Sequence, residues 1–578
     1  MPKVNHLLNS SDATEDAIQP VPLPLDADLP PSSPPQLSEN KGVVKAAAVL
    51  AIGNVTSRVL GLVREIVKSN LFGASDLLAA YTVAALVPNT LFNLITGGEM
   101  VSSSLVPVFS DLASKERRAE LWSVASSFLS LATAVLLFIV ALVYLFTPQI
   151  AWLAGARNFS DGSLTAVTEQ MMRLATPAVL FLSIASILTG VLYALERFTL
   201  PAFTAAVFNS TIVIVALLRP DHIDSLIYGL LLGSFLQIVL QLPALRDGRF
   251  RIQFNWRHPA MRRIFILYAP IVVVLLVNQV AIWISYNLAI LTGDNSVNYM
   301  TYATTLYQFP LGLVVTALSM ATLPTLSQIV NAYHASKHSD AAAASARVQE
   351  FKQTLASGLR LVLTLILPAT AGLFALATPI IALLLQHGEF TAQDTAVTAT
   401  VLRVYLAGLP FAAIDQMLVF ASYARKDTWR PAVTGIVSIV IYTVTAVLLL
   451  PAIGLYSLMV ADAVKHFSHT MIMLWLLQRH LGGLRGFGIS RAIWKSLVAS
   501  GLTGLVAWLA AWGVEAGLGD RLPLDSFLGK LFLVGVAGGL GLAAFLTLVR
   551  LLSITEVQML HRTLTSRLRR RAAQGERP

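Results

Sequence analysis

The apolar run that starts at Val43 contains residues that do not belong in hydrocarbon: Asn54, Ser57, Arg58, Gly61, Arg64 and Glu65. Spacings of three, four and seven put most of them on one helical stripe. An arginine near the bilayer centre costs ~2.5–3.5 kcal/mol on insertion scales. Two in one helix therefore imply a cavity lined by water or protein. The guanidinium stays charged and donates paired hydrogen bonds from a planar fork, which suits a phosphate. Glu65 beside Arg64 can orient that fork, or neutralise it while the site is empty. The competing reading puts Arg64 near the membrane edge, where its long stem lets the charge snorkel to water.

Other polar groups inside apolar segments carry weaker signals. Asn209 can both donate and accept, as a ligand group or as glue between helices. Glu99 follows the pair Gly97-Gly98 and is placed to line a cavity or to bind a cation. Asp415 is a residue type that takes a sodium ion or a proton. Asp462 with Lys465 or His466 can form a local pair at i, i+3 or i, i+4. The ten histidines show no metal-ligand spacing, and no Walker motif is present.

These residues must be positioned by membrane helices. Of 578 residues, 56% are apolar and 12% charged, about half the usual charged share; mean hydropathy is +0.69. That excludes a soluble enzyme, a disordered chain and a nucleic-acid partner, and it makes the lipid bilayer the solvent. The absence of cysteine removes disulfides and thiolate chemistry. The net charge of +10 reads as basic cytoplasmic loops holding topology. Residues 1–40, rich in proline and acids, read as a disordered cytoplasmic tail with no secretory signal. Residues 557–578, with Arg567, Arg569, Arg570 and Arg571, read as a basic cytoplasmic tail on the inner leaflet.

The fold class is all-α, with about fourteen transmembrane helices. The expected spans are roughly 43–67, 77–108, 122–148, 166–195, 198–218, 223–244, 263–291, 298–330, 357–386, 395–423, 431–450, 453–477, 492–516 and 526–553. Basic residues crowd the loops after even-numbered spans, which puts both termini in the cytoplasm of a multi-pass cell-membrane protein. Pro88, Pro310 and Pro324 either interrupt their helices, exposing backbone where it lines a cavity or hinges, or are ordinary kinks packed by neighbouring helices. A parallel repeat runs at an offset of 230. Thr165-Ala166-Val167-Thr168 returns as Thr395-Ala396-Val397-Thr398, Tyr193-Ala194 as Tyr423-Ala424, and Pro201-Ala202 as Pro431-Ala432. Two parallel six-helix lobes follow, residues 41–250 and 251–480, with the substrate site between them. Residues 481–556 form a final helix pair. Arg58 and Arg64 have Leu288 and Asp294 at the repeat positions, so the arginines serve no architectural need common to both halves.

The stretch from Ser57 through Arg58, Gly61, Arg64 and Glu65 to Leu71-Phe72-Gly73-Ala74 resembles the signature of the MurJ (MviN) lipid II flippase family, within the multidrug/oligosaccharidyl-lipid/polysaccharide exporter superfamily. Val87-Pro88-Asn89, Phe309-Pro310-Leu311-Gly312, Leu323-Pro324-Thr325-Leu326-Ser327 and Lys426-Asp427-Thr428-Trp429-Arg430-Pro431 match as well. The resemblance covers about residues 43–550. It implies a V-shaped molecule of two lobes, with the last two helices lining a groove for a lipid tail. It implies a non-enzymatic function: an undecaprenyl-diphosphate-linked peptidoglycan precursor flipped outward by alternating access, for cell-wall biogenesis and cell shape. The implied partners are that lipid-linked glycan and cell-wall synthesis proteins. No cofactor is implied, although a monovalent cation stays open. Carried onto this chain, Ser57, Arg58, Arg64, Glu65 (where relatives often have aspartate) and Asn209 bind the substrate.

The pattern also has departures. Ala79 stands where several relatives have an acid, Phe92 and Asn93 where arginines can follow the Pro-Asn pair, and Thr305 where another arginine is expected. Either neutral donors such as Asn93, Thr305 and Gln308 assist Arg58 and Arg64, or the substrate differs. The alternatives are a flippase for another lipid-linked glycan, a cation-coupled exporter of small molecules, a membrane enzyme acting on lipid carriers, or a scaffold that no longer transports.

Overall fold

The structure is a computed structural model. It describes residues 39–248, 250–337, 340–519, 523–554 and 556, with side chains from residue 48 onward. The expected tails, 1–40 and 557–578, lie outside these residues, apart from the helical backbone of Glu39 and Asn40. The chain divides into two units, 1–48 and 49–578. The first contributes the start of one long helix. Everything below concerns the second.

The described residues form helices and turns, with no strand. The first half holds α1 (Glu39–Phe72), α2 (Asp76–Ile95), α3 (Gly98–Met100), α4 (Val106–Asp111), α5 (Arg118–Leu145), α6 (Thr147–Ala154), α7 (Gly162–Ala175), α8 (Ala178–Ala194), α9 (Thr199–Ala202), α10 (Thr204–Leu218) and α11 (Asp224–Gln241). The second half holds α12 (Pro259–Ile290), α13 (Ser296–Pro310), α14 (Thr316–Ser336), α15 (Ala341–Ala375), α16 (Ala377–Leu384), α17 (Ala392–Leu406), α18 (Leu409–Ala424), α19 (Trp429–Ile453) and α20 (Tyr456–Leu481). The pair α21 (Ile489–Leu518) and α22 (Phe527–Leu551) closes the order.

All fourteen segments expected from the sequence are helical. Among the described residues, ten helical spans are long and apolar enough to cross a membrane, and the bent pair α17–α18 makes eleven. The others are α1, α10 and α20. Helix α10 is short at 15 residues, and α1 and α20 carry the charged clusters described below. Many large apolar side chains face outward, among them Phe138, Leu145, Leu218, Leu448 and Leu528. Such a surface is stable only in an apolar solvent. The chain is a multi-pass membrane protein.

Polar caps set the helix starts. The side chain of Ser75 accepts from Leu78 N to open α2, and Thr391 and Asp394 form a reciprocal capping box on α17. Asp340 caps α15, so this helix begins well before the expected 357. Its first turns are polar and extend beyond the apolar window that reveals a span.

Of the three prolines, Pro310 marks a break and the other two are packed within continuous helices. Pro88 lies inside an unbroken α2, and Pro324 inside an unbroken α14. Helix α2 ends at Thr96-Gly97 instead, and a π-helical turn follows over Val101–Leu105. Pro310 ends α13 and is followed by a second π turn, Leu311–Val315. A proline removes one donor, which neighbouring helices and local adjustment re-satisfy in a bundle; glycine gives up the side chain that would hold the helix.

The repeat is visible in backbone detail. Glu196 and Lys426, 230 residues apart, are both non-glycine residues in the left-handed region, at φ 58° and 61°. Arg197 N donates to Leu192 O and Asp427 N to Ser422 O, the same bond at the same offset. The turns that end α8 and α18 are thus one structure built twice.

Candidate functional site

Helix α1 approaches the first half closely at two glycines. A Cβ on Gly53 would collide with the backbone of Ala202, and one on Gly61 would touch Asn209 Nδ2 at 3.7 Å. The close approach brings Asn209 of α10 onto the polar stripe of α1. Asn209 Nδ2 donates to Ser57 O at 3.3 Å, and its Oδ1 accepts from an Arg64 terminal nitrogen at 3.0 Å. Four predicted residues on two helices therefore meet: Ser57, Arg64, Glu65 and Asn209.

Arg64 and Glu65 are joined in a fork. Arg64 Nε and its second terminal nitrogen donate to the same Glu65 oxygen, at 3.0 and 2.8 Å. The other Glu65 oxygen accepts from Lys68 Nζ at 2.9 Å. Glu65 is only 3% exposed, so both cations are needed to hold its charge in place. Arg64 reaches inward to a carboxylate and an amide, not outward to a membrane edge; snorkelling is not its geometry.

Lys68 is the residue that sequence reasoning missed. It is buried, and its ammonium lies 5.7 Å from the centre of the Tyr81 ring of α2. Its position three residues after Glu65 was the available signal.

Arg58 is placed differently. It is fourteen residues before the Phe72–Gly73 turn, roughly 20 Å along the helix. Its guanidinium lies directly on the backbone of Gly312, in the π turn after α13; any Cβ there would overlap it. Its Nε is buried without a hydrogen-bond partner, and Arg58, unlike Arg64, has no ion-pair partner among the described residues. Arg58 thus spans from the first half to the second with donors unspent. Counted together, Arg58, Arg64, Lys68 and Glu65 of this helix carry a formal surplus of two positive charges.

The neutral candidates are less gathered. Thr305, Gln308 and Gly312 follow at i, i+3 and i+7, one stripe of α13 and its π turn. Thr305 Oγ1 is spent on Thr301 O at 3.0 Å, whereas Gln308 is exposed. Asn93 is exposed near the end of α2 and shares no hydrogen bond with the arginine cluster. Glu99 is exposed on α3. The expected pair of Asp462 and Lys465 forms, and Asp415 of α18 joins it around a polar cavity. Among the described residues no group of His, Asp or Glu is arranged to hold a metal ion.

At one end of the bundle the halves are tied together. Glu389 N, in the turn before α17, donates to Asn70 O at 3.0 Å. Tyr302 OH donates to Gly73 O and Asn298 Nδ2 to Ser75 O, each at 2.9 Å. Gly73 and Gly388 both have positive φ, and a Cβ on either would collide with the facing backbone.

Known proteins share both sequence and fold. The family described as lipid II flippase MurJ matches residues 68–520. A probable lipid II flippase MurJ of Bdellovibrio bacteriovorus is 28% identical over 82% of this chain and 89% of its own length. The lipid II flippase MurJ of Burkholderia cenocepacia is 29% identical over 82% and 93%. In fold, the chain is similar to a lipid II flippase MurJ in an inward closed conformation, with a TM-score of 0.69 and 22% identity over 89% of this chain and all of that one. A multidrug-resistance MATE transporter of the MOP superfamily, inward-facing, matches with a TM-score of 0.57 and 13% identity over 76% of this chain and 99% of that one. The family match alone takes in more than three-quarters of the chain, from Lys68 of the charged cluster to the middle of the last helix pair, and this protein belongs to the lipid II flippase MurJ family.

Proposed function

We propose that this chain flips lipid II, a polyprenyl-diphosphate-linked peptidoglycan precursor, across the cytoplasmic membrane, with Arg58 and Arg64 holding the diphosphate. One observation carries the reading: Arg58 lies deep in a membrane helix with a buried donor that has no partner. A half-buried cation without a counterion in a membrane helix is costly, and an anionic headgroup is the chemistry that offsets it. A diphosphate between two ester groups brings two negative charges, matching the surplus of the cluster. Arg64 has donors left beyond those given to Glu65 and Asn209, and the fork with Glu65 fixes its plane for a second phosphate oxygen. Gln308, exposed on the stripe that leads to Gly312, is the neutral donor best placed to assist.

Alternating access is the mechanism this arrangement favours. The loop charges support a topology with the Phe72–Gly73 turn outside and both termini in the cytoplasm. The end tied by Asn70, Gly73, Gly388 and Glu389 is then the outer gate, closed in this conformation. Headgroup binding between Arg58 and the π turn of the second half draws on both halves at once. A ligand that touches both can shift their relative position by its difference in affinity for the two arrangements. No bond of the substrate is made or broken, so the function is transport, without a cofactor.

The test is complementation. In cells whose own lipid II flippase is depleted, the wild-type chain restores growth and shape, and Arg58→Ala, inserted to the same level, does not. Rescue by Arg58→Ala as full as that by wild type would remove the arginine from the mechanism.

A further inference from the structure

Where α2 and α6 of the first half meet α12 of the second, the structure leaves a cleft of about 430 Å³. Its long wall is one face of α12, on which Leu276, Val280, Ile284 and Leu288 follow at intervals of four. Leu94 of α2 and Leu153 of α6 face them from the first half. From Leu276 to Leu288 the wall runs roughly 18 Å, close to the roughly 15 Å of hydrocarbon in one leaflet. Leu153, Leu276 and Val280 are about half exposed. Such an apolar surface is stable only against hydrocarbon, so the cleft opens to the bilayer. Its floor is polar and joins the halves: Thr90 Oγ1 donates to Gln279 Oε1 at 3.1 Å and accepts from Trp283 Nε1 at 2.9 Å.

Arg157 stands at the Leu288 end. It lies in the short turn after α6, and its guanidinium is 3.8 Å from the centre of the exposed Trp152 ring. An exposed tryptophan on a membrane protein marks the headgroup level. Among the described residues Arg157 makes no ion pair. Asp294, from the facing half, is instead held by the backbone N and hydroxyl of Ser160. The halves are tied a second time here. Asn158 Nδ2 donates to Asn287 O at 3.1 Å, and Asn287 Nδ2 donates to Leu153 O at 2.9 Å.

These features define an occupant. Empty space between apolar walls forfeits the dispersion contacts of its lining, and the neighbouring solvent is acyl chain. An unpaired guanidinium at headgroup level selects a phosphate of net negative charge. A chain and an anionic phosphate, set one leaflet deep along a single groove, belong to one kind of molecule. We propose that the cleft binds one anionic phospholipid, its phosphate on Arg157 and one acyl chain along α12, and that the bound lipid braces the halves at their tied end. Both halves supply the walls, so parting them at that end dismantles the site. A ligand held only by the closed arrangement favours that arrangement by its own binding energy. The lipid site stands on the cleft alone; its effect on transport rests on the function proposed above.

Two measurements keep these apart. Trp283 reports on the cleft, because a chain seated there passes its ring. Purified full-length protein is reconstituted in phosphatidylcholine vesicles with a minor share of phosphatidylglycerol or phosphatidylcholine brominated on its chains, which quenches tryptophan on contact. The chain has nine tryptophans, and the emission lost in Trp283→Phe isolates this one. Brominated phosphatidylglycerol quenches it more strongly than brominated phosphatidylcholine in wild type, and Arg157→Gln loses that preference. Equal quenching by the two lipids in wild type, or a preference that survives Arg157→Gln, overturns the site. If Trp283→Phe does not fold, the total emission of wild type and Arg157→Gln gives the same comparison, since Arg157 is an exposed side chain. The second measurement follows fluorescent lipid II in vesicles with and without phosphatidylglycerol. The anionic lipid slows flipping by wild type, and Arg157→Gln loses that slowing. No slowing, or slowing that the variant shares, overturns the brace. A wild type that flips nothing in either membrane counts against the proposed function, and the quenching still decides the site.

Discussion

Arg58 and Arg64 sit six residues apart on one helix and differ in what they have left to give. Arg64 is already held by Glu65 and Asn209, so Arg64→Ala removes one of the two cations on a buried carboxylate and should lower both stability and transport. Breaking a buried ion pair by removing one partner costs about 3–5 kcal/mol, offset here by Lys68, which remains. Arg58 has no such partner, so Arg58→Ala should abolish growth rescue with no loss of thermal stability in detergent, read by a melting scan of the purified protein. Gly312→Ala offers an independent test from the other half. The added methyl occupies the place of the Arg58 guanidinium, whose flexible end can move away at little cost. The expected outcome is a folded protein with rescue impaired; undiminished rescue would mean that the seat of Arg58 is immaterial. The spacing of Ser57, Arg58, Arg64 and Glu65 was legible because charge stands out in an apolar run. Gly312 was legible only as part of a motif, since a glycine has no chemistry of its own until something is pressed against it. Lys68 carries no such mark, because a lysine near a helix end ordinarily snorkels; its burial depends on Tyr81, which only the fold brings to it.

The elements explain why a proline is a weaker guide than the repeat. Proline marks a missing donor, yet in a bundle the neighbours decide whether the helix breaks, so Pro88 and Pro324 pass unnoticed while Thr96-Gly97 ends α2. The repeat is a statement about whole turns, and a turn with a residue at positive φ is reproduced at Glu196 and Lys426. Near the first of these turns Arg197 pairs with Asp247 in the loop after α11 at 2.6 Å, and that bond holds the Asp247 carboxyl below its usual range. The folded state binds this proton more weakly than the unfolded state, so the pair contributes above the ordinary aspartate range and its contribution is lost as pH falls through and below it. It is a surface pair, about half exposed, worth about 0.2–1 kcal/mol. Arg197→Ala should therefore lower the melting temperature slightly at neutral pH and by less in strong acid, where only its bond to Ala244 O is left to lose. The tie between the α1–α2 turn and the turn before α17 makes a stronger claim. Asn70 and Glu389 are joined backbone to backbone, and the chain has no native cysteine. Asn70→Cys with Glu389→Cys should form a disulfide under mild oxidation, stop flipping in vesicles, and release it on reduction. Flipping that continues in the fully cross-linked protein would show that this end does not have to open.

At the scale of the whole molecule the question is what drives the cycle. The arginine site carries a surplus of positive charge. An empty site with surplus positive charge is drawn toward the negative interior, and the membrane potential acts on it at about 2.3 kcal/mol per elementary charge per 100 mV. A bound diphosphate cancels the surplus, so the loaded site feels little of that pull and can face outward. The potential then resets the empty carrier and leaves the loaded step to binding energy. This asymmetry predicts that collapsing an inside-negative potential in vesicles, at constant pH on both sides, slows lipid II flipping by slowing the return. The size of the effect should depend on the surplus itself. Lys68→Met removes one positive charge without opening a large cavity and should weaken the voltage dependence, while Glu65→Gln adds one net positive charge and should steepen it. Flipping rates measured against an imposed potassium diffusion potential give the slope for each variant. Identical slopes in all three proteins would place the voltage-sensing charge somewhere other than the first helix.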